Sequence, residues 1–137
     1  MSKEIRELAK AAYACLNRRD LEGFLALVHP GVEFRSLIAE AEGQTYHGHA
    51  GVREWWEKVL VALGGLRFDV DEIHDLGNSG LAELVVTGNV DGVDVPQRMW
   101  QAFHVRDAKL VWWATFRSEA ETRDALASGR FADEARP

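Results

Sequence analysis

The first third of the chain has the apolar spacing of helices. Apolar residues recur every three or four positions over residues 5–16, which predicts a helix with one buried face. Asp20 is a residue type that begins helices, and a short apolar stripe follows it, so a second helix is predicted there. We expect Pro30 and Gly31 to end this second helix, with His29 at its last turn.

The remaining pattern changes from strand to helix and then to strands. Alternating apolar residues over 32–38 predict a strand with one buried face. A third helix is predicted over residues 52–63, with Trp55 and Trp56 in its apolar stripe. Further strands are predicted at 66–70, 81–90, 97–106 and 109–117. Ser118 and Glu121 then form a capping box that begins a last short helix.

This order of elements indicates the fold class. Helices that precede a run of consecutive strands favour an α+β fold, with the helices on one face of an antiparallel sheet. We expect the sheet to bend around a single apolar pocket. A single domain is predicted over residues 1–131, with a loose C-terminal tail at 132–137.

Composition and charge exclude several classes of partner. Five tryptophans in 137 residues favour large buried aromatic groups. The 16 basic residues are scattered and the net charge is −6, so nucleic acid is not an expected partner. No apolar stretch reaches the ~20 residues of a membrane span, and the N-terminus lacks the apolar run of a signal peptide. We therefore predict a cytoplasmic protein with no membrane partner.

Metal and cofactor signals are weak in this sequence. Cys15 is the single cysteine and is predicted to be a packed side chain, without a disulfide or a metal framework. His47 and His49 lack a third ligand, so we expect no metal, with His47 at the surface and His49 opening the helix. No glycine-rich phosphate loop is present, and no cofactor is predicted.

Several segments, taken together in order and spacing, resemble one known family. They are Leu-Asn-Arg-Arg-Asp at 16–20, Phe-Leu-Ala-Leu-Val-His-Pro at 24–30, Tyr-His-Gly-His-Ala-Gly-Val-Arg-Glu-Trp-Trp at 46–56, Phe-Asp-Val at 68–70, Asp-Leu-Gly at 75–77, Val-Arg-Asp at 105–107 and Lys-Leu-Val at 109–111. This chain is similar in these segments to SnoaL-like proteins of the nuclear transport factor two-like superfamily. The resemblance implies a cone, in which a strongly curved mixed or antiparallel sheet wraps N-terminal helices around one internal pocket. It also implies a homodimer through the outer sheet face.

The catalytic groups of the enzymes in this superfamily are not matched here. Ketosteroid isomerases use a carboxylate base where this chain has Ser36, and serine has no basic form near neutral pH. Their oxyanion-binding tyrosine and protonated aspartate fall at Ala12 and Gln101 here. Tyr13 is one residue away, about 100° around the helix, so we expect it to point elsewhere. Epoxide-hydrolase relatives have an acid where this chain has Thr115.

The predicted pocket is mostly apolar and aromatic, as small-molecule sites usually are. Gln101 offers both a donor and an acceptor, and Arg117 is suited to a carboxylate or phenolate. Alternation along the strands and the third helix predict the ligand-binding residues Phe34, Ser36, Trp56, Met99, Gln101, Phe103, Trp113, Thr115 and Arg117.

Three hypotheses about function remain open. The first is a SnoaL-like protein that binds a small apolar or aromatic molecule. The second is a polyketide cyclase, isomerase, dehydratase or epoxide hydrolase with a different acid–base set, for which the reserve catalytic candidates are Tyr13, Glu83 and His104. We expect His104 on the outer sheet face, and it becomes a candidate base only if that face assignment is one residue out. The third is a non-catalytic dimeric scaffold that uses Trp100, Trp112 and Phe116.

Overall fold

The computed structural model describes residues 2–35, 45–61 and 66–128. The helices are α1 (Ser2–Arg18), α2 (Leu21–Ala26), α3 (Gly48–Trp55) and α4 (Glu119–Ser128), and α3 continues as a π-helical segment, Trp56–Val61. The strands are β1 (Val28–Arg35), β2 (Tyr46–His47), β3 (Arg67–Asp75), β4 (Ser79–Val90), β5 (Val93–Arg106) and β6 (Lys109–Phe116). This confirms the predicted α+β class and the predicted order of elements.

The second helix is shorter than predicted. Asp20 caps α2, since its Oδ1 accepts a hydrogen bond from the Gly23 backbone N–H at 3.0 Å. The helix ends at Ala26, and β1 begins at Val28. Pro30 and its neighbours therefore lie inside β1, and the expectation that Pro30 ends the helix is wrong. The pairing of β1 with β6 shifts register after Val28, and such an irregularity tolerates a residue without an N–H donor.

The six strands form one curved, unclosed sheet in the order β2-β1-β6-β5-β4-β3. β1 pairs with β6 in parallel, and the other neighbouring strands pair antiparallel, so the sheet is mixed. Strands β4, β5 and β6, which are joined as two consecutive hairpins, contain most of the residues of the sheet. The concave side carries the main core, to which α1, α2 and α3 contribute their apolar faces.

Strand alternation assigns the two faces of the sheet. Gln101 pairs with Thr115 and Phe103 with Trp113, and these side chains point to the concave face. The intervening residues of β5 point to the convex face, where α4 covers part of the sheet. The small cluster under α4 is made of Ala102, Trp112 and Ala114, with Phe116 and Leu126 packed against it.

Helix α4 covers part of the sheet face through which the predicted homodimer would form. Trp112 is buried within its own chain, whereas Trp100 and Phe116 are half-buried. A partner copy on this face would therefore contact Trp100 and Phe116 beside α4. The homodimer stays a prediction, which light scattering of the purified protein would test. None of the helices within the described ranges is long and apolar enough to cross a membrane.

Candidate functional site

A cavity of about 450 Å³, which includes the space at its mouth, lies between α1 and the concave face of the sheet. Its wall is formed mainly by apolar and aromatic side chains. The lining residues are Ala9, Ala12, Tyr13, Leu16, Phe24, Trp55, Phe68, Gln101, Phe103, Leu110 and Trp113. Tyr13 and Phe68 also border an open groove between α1 and β3, so these two rings separate the cavity from solvent on that side.

One chain of hydrogen bonds crosses this apolar wall. The Tyr13 hydroxyl donates to Gln101 Oε1 at 2.5 Å, and Gln101 Nε2 donates to Thr115 Oγ1 at 2.9 Å. Gln101 and Thr115 are directly opposed on β5 and β6, which holds the amide in one orientation. Gln101 Nε2 has a second N–H, and the Tyr13 oxygen can also accept, so the chain has spare capacity for a bound molecule.

The expectation that Tyr13 points away from the pocket is wrong. Positions 9, 12, 13 and 16 form one helical stripe, and all four of these residues line the cavity. The cavity faces a broad arc of α1, so Ala12 and Tyr13 reach it from neighbouring positions. Burial raises the pKa of Tyr13 well above its usual range, because the phenolate would lose its hydration. Tyr13 is therefore a neutral hydrogen-bond donor at ordinary pH.

The tryptophan in the wall is Trp55, not the predicted Trp56. Trp55 lines the cavity, while Trp56 begins the π-helical segment and packs against Phe24, with ring centroids 5.6 Å apart. Both indoles are buried, and the 100° between neighbouring helix positions separates their directions. The apolar stripe predicts burial for both residues but does not distinguish the one that reaches the cavity.

A close aromatic cluster supports one side of the wall. The Phe34 ring stacks on Trp113, with centroids 4.2 Å apart, and on Tyr46 at 5.0 Å. Phe34 is fully buried and lies behind Trp113. Trp55 stands nearly perpendicular to both Phe34 and Trp113. The rings therefore fix one another, and the Trp113 face presented to the cavity is held in place.

Phe103 is fixed from the opposite strand. It is paired with Gly80 on β4, and its ring lies over that glycine. A Cβ at Gly80 would lie only 2.6 Å from Phe103 Cε2 and closer still to Cζ, so the absence of a side chain is what admits the ring. Phe103 is buried and lines the cavity, which makes Gly80 a determinant of the cavity's shape.

Other predicted ligand-binding residues lie elsewhere. Thr115 is buried behind Gln101 and acts on the cavity through that amide. Met99 is half-buried and packs against the main core, without lining the cavity. Arg117 follows the end of β6, is exposed, and is not among the described residues that line the cavity. Ser36 lies outside the described residues.

The reserve candidates Glu83 and His104 are on the convex face, as expected for His104. Glu83 is opposite Trp100, and His104 Nδ1 lies 2.9 Å from Ser79 Oγ. Burial, followed by the charge of Arg106, lowers the pKa of His104. A hydrogen bond from His74 holds the pKa of Glu83 below its usual range. Neither residue reaches the cavity, so neither is placed to act on a molecule bound there.

Groups that could hold a metal are also outside the cavity. Within the described ranges, Glu72, His74 and Glu83 bring their ligand atoms within 4.8 Å of one another on the convex face. His74 Nε2 and Glu83 Oε2 already form a pair at 2.9 Å. His49 Nε2 is bonded to the Val28 carbonyl at 2.8 Å, and His47 is mostly exposed. His49 and His74 therefore each have a partner within the chain.

Cys15 is buried on α1, and burial raises the pKa of its thiol. A buried thiol of raised pKa is a poor nucleophile. Among the described residues that line the cavity, the polar ones are Tyr13 and Gln101, and no carboxylate or histidine is present. The arrangement can therefore enclose a flat apolar molecule and hydrogen-bond to it at one point.

The fold is shared with several solved structures. A crystal structure of TerC co-crystallised with polyporic acid matches with TM-score 0.75 and 24% identity, over 90% of this chain and 98% of TerC. An NTF2-like protein of unknown function from Burkholderia pseudomallei matches with TM-score 0.74 and 22% identity, over 90% of this chain and 97% of that protein. A putative polyketide cyclase from Sinorhizobium meliloti matches with TM-score 0.69 and 16% identity, over 85% of this chain and 99% of that protein. The fold is thus that of the NTF2-like, ketosteroid isomerase-like class.

The family assignment is more specific than the fold class. The model of the SnoaL-like domain matches residues 9–113, which is well over half of the chain. The chain therefore belongs to the SnoaL-like domain family, as its sequence motifs indicate. A search of curated protein sequences finds no significant match.

Proposed function

We propose that this protein binds a small, flat, largely apolar molecule in the cavity and holds it by a polar contact with Tyr13 and Gln101. The observation that carries the proposal is an aromatic cavity crossed by one ordered hydrogen-bond chain. Burying an apolar ring against Phe103 and Trp113 supplies affinity, because the effect grows with the apolar area removed from water. A hydrogen bond to the Tyr13–Gln101 pair fixes the orientation of the bound molecule.

The chemistry of the polar pair narrows the ligand class. Gln101 Nε2 uses one N–H on Thr115 and keeps another, and the Tyr13 oxygen keeps acceptor capacity. A hydroxyl or carbonyl oxygen at the edge of a ring can therefore be bound without breaking the existing chain. The aromatic rings of Phe103 and Trp113 in the wall favour a flat ring system as the ligand.

The structural relatives support this proposal. TerC has been crystallised with polyporic acid, and another structure of the same fold is described as a putative polyketide cyclase. Both relatives are below 25% identical to this chain, so they support the general use of the cavity and leave the ligand open. The contacts of Tyr13, Gln101 and Thr115 are what make the proposal specific.

A comparison of naphthalene with 2-naphthol tests the proposal, with binding measured by tryptophan fluorescence and by the shift in Tm. We expect 2-naphthol to bind more tightly to the wild type, since its oxygen meets Gln101. One hydrogen bond is worth about 0.5–1.5 kcal/mol, or roughly 2- to 12-fold in Kd. Gln101→Leu should remove this preference. Gln97→Leu is the matched control, because Gln97 is exposed on the same strand.

Two results would reject the binding proposal. One is a flat response of both fluorescence and Tm across naphthalene, 2-naphthol and a wider panel of one- and two-ring compounds. The other is a preference for 2-naphthol that survives unchanged in Gln101→Leu.

A second candidate function is an enzyme that stabilises an oxyanion with Tyr13. The position of the Tyr13 hydroxyl in the cavity wall favours it, because this protonated hydroxyl can exchange its bond to Gln101 Oε1 for one to a developing enolate oxygen. Exchange of the α-protons of 2-tetralone in D₂O, followed by NMR, separates the candidates. An enolising enzyme accelerates exchange and loses that rate in Tyr13→Phe, whereas a binding protein leaves exchange at the buffer rate.

A further inference from the structure

A buried donor at the cavity wall meets no hydrogen-bond acceptor within residues 2–35, 45–61 and 66–128. The indole of Trp55 is 5% exposed and lines the cavity, and its Nε1–H meets no acceptor among the described residues. Burying an N–H without a partner costs about 1–3 kcal/mol. Groups of this kind are uncommon in folded proteins, and this one belongs to a residue that lines the cavity.

The part of the chain that the structure describes supplies no acceptor around the Trp55 nitrogen. Its neighbouring aromatic rings are Phe34, Trp56 and Trp113, with centroids 5.6, 6.5 and 6.0 Å away. Each of these rings is nearly perpendicular to the Trp55 ring, and none carries an acceptor oxygen. The other polar group of the wall, the Tyr13–Gln101 pair, is bonded within itself and to Thr115.

We propose that Trp55 donates a hydrogen bond to the bound molecule, which therefore carries a second acceptor oxygen apart from the one at Gln101. This inference rests on the proposed function and specifies its ligand class as a flat ring system with oxygens at two separate positions. One oxygen meets the Tyr13–Gln101 pair, and the other, a carbonyl or ether, meets the Trp55 N–H. Trp55 is then a determinant of ligand choice and not only a packing residue.

Two probes of the same shape test this proposal by isothermal titration. In 6-methoxy-2-naphthol the ether oxygen can accept from Trp55, while 6-ethyl-2-naphthol has a methylene in its place. Trp55→Phe keeps an aromatic ring and removes the N–H. We expect this variant to weaken binding of the methoxy probe by about 3- to 10-fold, the equivalent of one hydrogen bond. Its affinity for the ethyl probe should change by less than about 2-fold.

The control variant is Trp100→Phe, which makes the same change on the convex face, opposite Glu83 and away from the cavity. It should leave the affinities of both probes unchanged. The proposal is overturned if Trp55→Phe weakens the binding of both probes equally or of neither probe. This is the result expected if the Trp55 N–H is directed at a neighbouring ring and not at the bound molecule. In that case the proposed function still stands, because both probes bind. If neither probe binds the wild type, the proposed function falls and the inference falls with it.

Stability and NMR provide independent readouts. Because Trp55→Phe removes an unpaired donor, its unfolding free energy should stay within about 1 kcal/mol of the wild type despite the smaller ring. In the wild type, the Trp55 Nε1–H proton signal should move further downfield with the methoxy probe than with the ethyl probe. This second test needs no variant, so it applies even if Trp55→Phe does not fold. Equal shifts with the two probes would overturn the proposal.

Discussion

Replacing Gly80 by alanine tests the packing that shapes the cavity. The added Cβ would lie 2.6 and 2.8 Å from the two Cε atoms of Phe103 and closer still to Cζ. Carbon atoms are in favourable contact only at about 3.5–4.0 Å, so the ring has to move by more than about 1 Å. Phe103 is 4% exposed and lines the cavity, so its displaced ring has to disturb buried neighbours or fill the cavity.

The expected loss of unfolding free energy is the difference between two opposing effects of the substitution. Overpacking a well-filled core costs about 1–3 kcal/mol. Gly80 lies in a strand and does not have a positive φ, so alanine is compatible with the backbone and recovers about 0.4–1 kcal/mol from the unfolded state. We therefore expect Gly80→Ala to lower the unfolding free energy by about 1–2 kcal/mol, which corresponds to a fall in Tm of roughly 3–8 °C.

Urea denaturation followed by circular dichroism measures this loss. Gly88→Ala is the matched control on β4, because its Cβ would lie 3.4 Å from a Leu66 methyl, at ordinary contact distance. That variant should be neutral or slightly more stable. Gly80→Ala combined with Phe103→Leu should lose less than the sum of the two single changes, because the shorter side chain makes room. Equal stability of Gly80→Ala and Gly88→Ala would show that the Phe103 ring does not oppose a Cβ at Gly80.

Two further predictions concern the polar groups. Tyr13→Phe leaves the part-buried Gln101 Oε1 without its donor, and we expect the unfolding free energy measured with denaturant to fall by about 1–3 kcal/mol. Tyr13→Phe combined with Gln101→Leu should lose less than the sum of the two single changes. Strict additivity would contradict the hydrogen bond. Burial lowers the pKa of His104 below its usual 6.5, so the unfolded chain binds that proton more readily and stability should fall as the pH drops below about 6.5. His104→Asn should flatten this fall in Tm between pH 7.5 and 5.5, and an unchanged slope would contradict the assignment.

The predictable part of the fold comes from periodicity. Alternation along β5 places Gln101 and Phe103 on one face and His104 on the other, as the structure has them. Periodicity reports local burial and says nothing of strand direction. The parallel pairing of β1 with β6 depends on contacts between residues far apart in the chain, so it is not derivable from the local pattern.

The candidate site is less predictable because facing a cavity and being buried are different properties. Trp55 and Trp56 are equally apolar neighbours, and only the direction of α3 against the sheet decides which one lines the cavity. The sequence pattern can predict that Tyr13 lies on the cavity side of α1, because Tyr13 shares a helical stripe with Ala9 and Ala12. Alignment with the oxyanion-binding tyrosine of ketosteroid isomerases falls on Ala12 instead. That alignment led to the wrong expectation that Tyr13 points away from the pocket.

The end of β6 shows a second reason why the sequence does not predict the whole site. Arg117 continues the alternation of β6 in the sequence, but the strand ends at Phe116 and the chain bends into α4. Strand ends depend on where the partner strand ends and where the next helix begins. The sequence pattern alone cannot place that boundary between Phe116 and Arg117.

The proposed function requires that the cavity itself bind an oxygen-bearing aromatic molecule. The most direct test is a crystal structure of the protein with 6-methoxy-2-naphthol at a concentration that saturates it in solution. We expect the ring system to lie between Phe103 and Trp113, with the hydroxyl within about 3.2 Å of Tyr13 Oη or Gln101 Nε2. Density for the probe only in the groove between α1 and β3, with the cavity unfilled, would contradict the proposed function.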